Sequence, residues 1–469
     1  MKPKISHDLT RRKFIGSCCA AVGTTGLLSA LAQLRLIGAV TSPGSGPVSS
    51  AATADYKALV CLFLQGGNDA NNLLIPNDTA GYAGYASARG VLALPQNTLL
   101  PLSPVTADGR AFALHPSMPE FQALFGQGKA AVLANVGTLV VPTTKTQYNA
   151  RSVALPPQLF SHSDQQVEWQ SSVPDKPFST GWGGRLADLT DAFNNNSTIS
   201  MSISLAGQNS FQVGRTVAQF SVGTNGVVSL TGSSTSPTTA AGIRTQAQKD
   251  LLASPNANLF KTAFGAATTD AISDSALLAQ YVGTTAPIPF ATSFPTSSLG
   301  QQLRMIARLI AAAPSLGLSR QIFFARVGGW DLHDNQLGAH ATLLADVSAS
   351  LKAFYDTTVE LGVASQVTAF TASDFGRTYN TNGDGSDHGW GSHHLIVGGA
   401  VRGNVLYGRV PDLTINGPDD TGRGRWIPTT SVDEYSATLA TWFGVSATNL
   451  PTVLPNIGRF ANPNLGFLG

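Results

Sequence analysis

Continuous apolar runs and helically spaced apolar positions follow one another along the chain. The runs occupy residues 58–64, 130–136, 321–327 and 366–371, and another apolar run spans 394–401. Mainly apolar runs of this length are typical of strands that are buried on both faces of a parallel sheet. We therefore expect five strands of this kind.

Apolar residues at helical spacing separate several of these runs. Residues 118–125 have the pattern of a short helix, and Leu299, Leu303 and Ile306 share one face of a longer helix. Residues 338–361 are long enough for a crossover between parallel strands. The order of elements predicts an α/β fold, with a mostly parallel sheet covered by helices on both faces.

Residues 197–240 depart from this pattern. Apolar and polar residues alternate with a period of two from Thr198 to Leu205, and short β-like runs continue to Val228. Such alternation is typical of strands with one exposed face. We therefore expect a β-rich insertion at about 197–240 within a single domain that spans 55–469.

The first 54 residues have the organisation of an export signal. Arg11 and Arg12 follow a basic head and precede Phe14 and Ile15, in an order that resembles the twin-arginine signal. The apolar stretch from 14 to 34 is diluted by small and polar residues, and a Ser/Pro/Gly/Ala linker follows at 41–54.

These features predict export by the twin-arginine translocation machinery to the periplasm or the extracellular space. The small residues before position 32 and before position 54 fit the pattern of a signal-peptide cleavage site, so cleavage is expected after one of these two positions. No stable membrane span is expected after cleavage, and the alternative is an N-terminal anchor that is never removed.

Charge and cysteine content narrow the range of functions. Six of the 29 basic residues and one of the 27 acidic residues lie in the signal, so the remainder carries a net charge of −3. That balance excludes an extended basic surface for nucleic acid. Cys61 is the single cysteine after the signal, so no intramolecular disulfide is possible, and its apolar surroundings predict a buried side chain.

An acidic residue follows three of the predicted strands. Asp69, Asp331 and Asp374 each stand just beyond an apolar run. The carboxyl ends of parallel strands lie along one edge of a sheet, where ligands bind. Carboxylates that converge there need a compensating charge, which a divalent cation supplies.

The histidines favour the same conclusion, because five of the eight lie between residues 333 and 394. Mixed Asp and His ligands suit zinc, manganese or iron, whereas an all-oxygen site favours magnesium or calcium. We predict one or two divalent ions (zinc, manganese, calcium or magnesium). The predicted metal ligands are Asp69, Asp331, His333, Asp374, His388 and His393.

Candidate catalytic residues stand near these ligands in the predicted site. Ser161 and Ser163 flank His162 at a position where a helix can start. A hydroxyl at a helix start beside a metal is favoured as an alkoxide, although an ordinary capping serine is the alternative. The guanidinium of Arg377 could hold the oxygens of an anion in a bidentate manner.

Several motifs resemble the exported family called domain of unknown function 1501. The motifs are residues 64–69 (LQGGND), 161–166 (SHSDQQ), 328–333 (GGWDLH), 373–378 (SDFGRT) and 387–390 (DHGW), together with Gly398-Gly399. This resemblance implies an alkaline phosphatase/sulfatase-like fold, a twin-arginine signal and metal-binding roles for Asp69, Asp331, Asp374 and His388 or His393. Phe375 and Asn335 stand where that superfamily usually has metal-binding histidines.

The residues and the resemblance together predict a metal-dependent hydrolase of phosphate or sulfate esters. Its substrate would be a small anionic ester or a glycan. The alternative is a non-catalytic exported protein that keeps the fold and binds metal or glycan, or has a degenerate site.

Overall fold

The computed structural model describes residues 55–103, 109–195, 199–227, 232–234, 236–283 and 285–469. The predicted signal and linker at 1–54 lie outside this part of the chain, as do residues 196–198, 228–231 and 235 of the predicted insertion. No helix in the described ranges is long and apolar enough to cross a membrane.

A mixed sheet forms the centre of the molecule. Its strands are β1 (Lys57–Leu64), β5 (Ala130–Gly137), β6 (Ser202–Ser204), β7 (Phe220–Ser221), β8 (Arg320–Val327), β9 (Val367–Ser373), β12 (Ser392–Gly398), β13 (Leu406–Tyr407) and β14 (Thr430–Ser431). Two smaller sheets contain β2 (Leu74–Pro76), β3 (Leu100–Pro101) and β4 (Phe112–Leu114), and β10 (Arg377–Thr381) with β11 (Ser386–His388).

The order of strands in the central sheet is β13-β5-β12-β9-β1-β8-β6-β7, with β14 also paired to β5. β1 is parallel to both β8 and β9, whereas β12 is antiparallel to its neighbours β9 and β5. The predicted strands at 58–64, 130–136, 321–327 and 366–371 are confirmed, and the predicted strand at 394–401 begins two residues earlier. β6 and β7 of the 197–240 segment extend this same sheet.

Helices pack on the sheet in two groups. The described helices are α1 (Thr79–Arg89), α2 (Pro119–Gly126), α3 (Lys145–Ala150), α4 (His162–Ser171), α5 (Trp182–Thr190), α6 (Ala240–Ala253), α7 (Leu259–Val282), α8 (Ser298–Ala312), α9 (Gln336–Glu360), α10 (Val432–Phe443) and α11 (Leu450–Val453). α9 packs against α2 and α8, while α5 contacts α4 and α11, and α11 contacts α10. The prediction of an α/β fold with a mainly parallel sheet and covering helices is confirmed.

The core forms where apolar strand residues meet the apolar faces of these helices. Leu299, Leu303 and Ile306 of α8 are fully buried, as their helical spacing predicts. Cys61 on β1 is also buried, and burial raises the pKa of its thiol well above the ordinary value. The thiol therefore behaves as a small apolar side chain.

Residues 232–234 and 236–274 belong to a separate unit in the part of the chain that the structure describes. It contains α6 and the first part of α7, and Ile243, Leu251 and Phe264 expose more than half of their side-chain surface. The remaining unit contains the central sheet and the residues of both sites discussed below.

A tight approach of two loops shapes the carboxyl edge of the sheet. Gly66 follows β1 with a φ of +121°, and a Cβ atom there would lie 2.5 Å from the backbone nitrogen of Asp331. Only glycine combines this conformation with so close a contact. The turns after β1 and β8 therefore lie against each other.

Candidate metal centre

Strand direction brings the predicted acidic residues and His388 to one edge. β1, β8 and β9 are parallel and in register, so the loops that carry Asp331 and Asp374 leave the sheet on the same side. β12 runs the opposite way and therefore begins at that edge. The segment that precedes it carries His388.

Four side chains bring ligand atoms close together, and we call His162, His333, His388 and Asp331 the His/Asp cluster. The ligand atoms of His162, Asp331 and His388 all lie within 4.8 Å of one another. His388 Nε2 lies 3.1 Å from His162 Nε2 and 3.0 Å from His333 Nε2. Asp331 Oδ1 lies 3.4, 3.0 and 3.3 Å from the Nε2 atoms of His162, His333 and His388.

These separations match the ligand spacing of a tetrahedral cation site. Ligand atoms at ~2.0–2.1 Å from a tetrahedral ion are about 3.3 Å apart. The three separations among His162, His388 and Asp331 fall between 3.1 and 3.4 Å, and His333 Nε2 lies 3.0 Å from both His388 Nε2 and Asp331 Oδ1. Two imidazoles and one carboxylate, with a third imidazole beside them, are a donor set that suits zinc, manganese or iron.

Hydrogen bonds at the far side of two rings fix their tautomers. His162 Nδ1 lies 2.7 Å from Asp374 Oδ2, and His388 Nδ1 lies 2.7 Å from the carbonyl oxygen of Phe160. Both oxygens can only accept, so both Nδ1 atoms carry hydrogen. The neutral rings then present bare Nε2 atoms to each other, an arrangement that needs a proton or a cation between them.

The pKa directions differ among the members of the His/Asp cluster. Hydrogen bonding to Asp374 raises the pKa of His162, and burial opposes this rise. Burial lowers the pKa of His388, which keeps its ring neutral. Burial also raises the pKa of Asp331, but the Arg377 guanidinium outweighs this effect and holds the pKa below its ordinary value. Asp331 is therefore ionised near neutral pH.

Asp374 lies behind the His/Asp cluster. Its Oδ1 accepts from the backbone N–H of Gly66 at 3.0 Å, and its Oδ2 accepts from His162 and from Gln166 Nε2 at 2.7 Å. His162 and Gln166 are one helical turn apart on α4 and so reach the same oxygen. Asp374 orients His162 in this structure, as carboxylates behind ligand histidines do in metalloproteins.

Asp69 lies outside the cluster and has a different partner. Its buried carboxylate forms an ion pair with the fully buried side chain of Arg89. The same carboxylate accepts a hydrogen bond from Gln336. The Arg89 guanidinium further donates to the carbonyl oxygens of Thr378 and Tyr379, both at 3.0 Å. The charge of Asp69 is thus compensated by arginine.

The buried Arg377 guanidinium is also engaged within the protein. It donates to Asp331 Oδ1 at 2.7 Å, to the Ser386 carbonyl oxygen at 2.5 Å and to the Gly66 carbonyl oxygen at 3.3 Å. These bonds hold the carboxylate that faces the three imidazoles. In this structure Arg377 positions Asp331, and its predicted role in holding an anion stays a prediction.

The two candidate serines share one acceptor. Ser161 Oγ donates to Asp164 Oδ2 at 2.5 Å, and Ser163 Oγ donates to the same oxygen at 3.1 Å. Ser161 is the N-cap residue of α4, yet its side chain makes no capping hydrogen bond. The alternative of an ordinary capping serine therefore does not describe its hydroxyl.

His393 and His394 lie on β12, away from the His/Asp cluster. His393 Nδ1 accepts from the backbone N–H of Asn135 at 2.9 Å, and His394 packs against Trp169 with ring centroids 5.2 Å apart. Burial lowers the pKa of His393 to about 4 and that of His394 to about 3. Both rings are neutral parts of the core.

Phe375 forms an apolar wall of the centre. Its ring centroid lies 4.7 Å from those of His162 and His388. The ring fills the space against Gly67, where a Cβ atom would lie 2.6 Å from it. Phe375 therefore takes up space at the position where the resemblance implies a histidine ligand.

Sequence reasoning included His162 in a motif but did not select it as a ligand. The sequence feature that could have identified His162 is its place between Ser161 and Ser163 at a predicted helix start, where only the two hydroxyls were assigned a role. Because α4 begins at His162, the ring extends from the helix terminus to the sheet edge. Asp331, His333 and His388 were selected and do meet at one point.

Comparisons with known proteins give a family but no function. No curated protein sequence matches the chain. Among solved structures, the lipoteichoic acid synthase LtaP from Listeria monocytogenes has a TM-score of 0.35 at 9% identity, covering 90% of this chain and 80% of that chain. The PsFucS1 sulfatase from Pseudoalteromonas sp. has a TM-score of 0.33 at 9% identity, covering 85% and 69%.

A third structure, Ps i-CgsB, has a TM-score of 0.34 at 8% identity and covers 87% of this chain and 77% of that chain. The family described as "Protein of unknown function (DUF1501)" matches residues 56–421. That range contains β1, the loops of Asp331 and Asp374, and every member of the His/Asp cluster. The chain belongs to the DUF1501 family.

Proposed function

We propose that this chain is an exported, metal-dependent hydrolase of phosphate or sulfate esters. The observation that carries the proposal is the His/Asp cluster, in which the ligand atoms of His162, Asp331 and His388 are spaced for one cation. The cluster lies at the carboxyl edge of the sheet, where open α/β proteins bind ligands. The class of ester follows from the family resemblance rather than from the cluster.

A divalent cation would supply a Lewis acid for the ester oxygens and lower the pKa of a bound water. His162, His388 and Asp331 would hold it, with His333 beside them. The Asp331 side chain is 45% exposed and that of His333 is 44% exposed, so the cluster is open to a substrate from solvent. Phe375 closes the opposite side and excludes water there.

The surroundings of Asp69 favour a centre with one metal ion over a centre with two. A second cation beside Asp69 would have to displace the Arg89 guanidinium, which is buried and held by two carbonyl oxygens. Expelling a buried arginine from its carboxylate costs several kcal/mol, on the order of 3–5 kcal/mol for comparable pairs. We therefore favour a single metal ion.

Ser161 is the better placed of the two candidate nucleophiles. It lies between Phe160, whose carbonyl oxygen contacts His388, and His162 of the cluster. Its hydroxyl already donates to Asp164, which would accept the proton when the oxygen attacks. A water molecule activated at the same centre is the other nucleophile that this arrangement supports.

A non-catalytic metal-binding protein is the second candidate, and one observation favours it. Arg377 is the arginine that contacts Asp331, and all its described contacts are to groups of the protein itself. This guanidinium is thus not left free to hold a phosphate or sulfate group. In that case the cluster would bind metal without turnover.

Metal analysis with two matched variants tests the proposal. Asp331→Asn removes the charge of a cluster residue, and Asp334→Asn makes the same change at an exposed position of the same loop. Protein purified without added metal should contain close to one equivalent of zinc, manganese or iron. The Asp331 variant should lose most of this metal, and the Asp334 variant should keep it.

Hydrolysis of p-nitrophenyl phosphate and p-nitrophenyl sulfate by the metal-loaded protein then separates the two candidates. Turnover that is at least tenfold slower in Asp331→Asn than in Asp334→Asn supports a hydrolase. Bound metal with no turnover of either ester, or of a wider ester panel, favours the non-catalytic candidate. Absence of metal, together with equal behaviour of both variants, would rule out the metal centre.

A further inference from the structure

A second concave site lies at the other end of α4. It is a cleft of about 580 Å³ between the loop 173–180, the start of the 215–217 segment and the residues around 452–455. Asp175 fastens the loop to the C-terminal region, because it accepts from Asn456 at 3.0 Å and forms an ion pair with Arg459 at 2.8 Å. The wall of the cleft is therefore fixed.

Three cationic side chains line this cleft. Arg185 lies at its buried side and is 9% exposed, whereas Lys176 and Arg215 are exposed at its rim. Neither rim residue forms an ion pair with another described residue. Asp188 is the one carboxylate among the lining residues, and it is already bound by backbone N–H groups of Arg215, Thr216 and Val217 at 2.6–2.8 Å.

The guanidinium of Arg185 lacks a carboxylate partner in the described part of the chain. It donates to the carbonyl oxygens of Ser171, Thr180 and Val453 at 2.6–2.7 Å and to Thr180 Oγ1 at 3.2 Å. These bonds use four of its five N–H groups, so one N–H of Nη2 remains. Burial lowers the pKa of Arg185 to about 10, and the nearby carboxyls of Asp433 and Asp188 oppose this effect only in part.

The main compensating carboxyl of Arg185 is Asp433, which forms no ion pair with it in the described part of the chain. Burial raises the pKa of the Asp433 carboxyl to about 8, which weakens this compensation near neutral pH. The cleft therefore combines a buried arginine, two unpaired rim cations and the apolar side chains of Phe178, Leu189 and Pro455. Phe178 exposes 42% of its side chain.

We propose that this cleft is a second binding site, which takes an organic anion. The charged group, a phosphate, sulfate or carboxylate, would lie between Arg185, Lys176 and Arg215. An apolar ring or the apolar face of a sugar would pack on Phe178. Guanidinium and ammonium groups converge on anions in this way, and an anion would compensate the buried charge.

The site is separate from the His/Asp cluster and does not depend on the proposed hydrolase function. His162 begins α4 at the cluster, and Ser171 ends it at the cleft. Ten residues of α-helix place the two sites roughly 14 Å apart. One helix therefore connects them, so an anion in the cleft contacts the element that positions His162.

Isothermal titration calorimetry with phenyl phosphate, on the full-length protein in the His388→Ala background, tests the proposal. That background removes binding at the cluster, so any remaining site must lie elsewhere. Lys176→Ala with Arg215→Ala should weaken binding at least tenfold. Lys249→Ala, which removes an exposed cation of α6, should leave it unchanged.

A comparison of two ligands shows whether the cleft recognises the apolar ring as well as the charged group. Inorganic phosphate should bind more weakly than phenyl phosphate, and Phe178→Ala should reduce this difference. A circular dichroism spectrum and an unchanged melting temperature establish that the rim variants are folded. Absence of saturable binding, or binding that survives the double rim variant, would overturn the proposal whatever the cluster does.

Discussion

The buried Glu168 predicts how the stability of the fold depends on pH. Glu168 lies on α4 and is only 5% exposed, and burial raises its pKa to about 8. The folded protein therefore holds a proton on this carboxyl at pH 7, while the unfolded chain releases it above about pH 4.3. The contribution of Glu168 to the unfolding free energy is therefore fully present below the pKa of its carboxyl in the unfolded chain. It is lost as the pH rises towards the pKa in the folded protein.

The magnitude follows from the width of that pH window. Each pH unit between the two pKa values costs about 1.4 kcal/mol of unfolding free energy, so the interval from pH 5 to 8 costs at most about 4 kcal/mol. Relaxation and water penetration reduce this figure, and we expect about 2–4 kcal/mol. Asp433, whose pKa burial also raises to about 8, adds a loss of the same sign in the same window.

Glu168→Gln keeps the size of the side chain and removes its ionisation. Its unfolding free energy should fall less steeply than that of the native protein between pH 5 and 8.5. Urea denaturation followed by circular dichroism at intervals of half a pH unit, on chelated protein, measures the difference. Parallel curves for the two proteins would refute the assignment of a neutral, buried carboxyl, and Asp433→Asn provides an independent repeat.

Three other predictions concern export, metal and a buried ion pair. Replacement of Arg11 and Arg12 by lysines should leave the precursor inside the cell, as fractionation and blotting would show; normal export would contradict the signal. Chelator should lower the melting temperature, and added zinc should restore it. At a free zinc concentration of 100 Kd, binding should raise the unfolding free energy by about 2.7 kcal/mol. Asp69→Asn should destabilise the fold by about 3–5 kcal/mol in urea, because Arg89 would stay buried without a counter-charge. Asp69→Asn with Arg89→Met should recover part of this loss, and no recovery would argue against the ion pair as the cause.

The sheet and its ligand-bearing edge could be predicted from sequence because the signal is local. Unbroken apolar runs mark strands with two buried faces, and parallel strands must place their following loops on one side. Asp331 and Asp374 reach the same edge for this reason. The sequence alone could not give the direction of β12, since an apolar run has the same pattern either way, and that direction decides the position of His388.

Non-local pairing explains what sequence reasoning missed. The apolar pattern does not tell which helix terminus meets the sheet edge, so His162 at the start of α4 could not be assigned. The pairing of Asp69 with Arg89 joins residues on different elements, and no spacing rule connects them. Asp374 follows its strand as predicted, but its partner is an imidazole of α4.

The positions of the cluster residues along the chain have a consequence for folding. With Cys61 as its single cysteine beyond residue 54, the polypeptide has no covalent cross-link of its own. A cation bound by His162, Asp331 and His388 would close one loop from 162 to 331 and another from 331 to 388. Closing long loops removes entropy from the unfolded ensemble, as a disulfide does. Under the proposed export route, the folded chain would thus carry a removable cross-link, acquired from solution and released by a chelator.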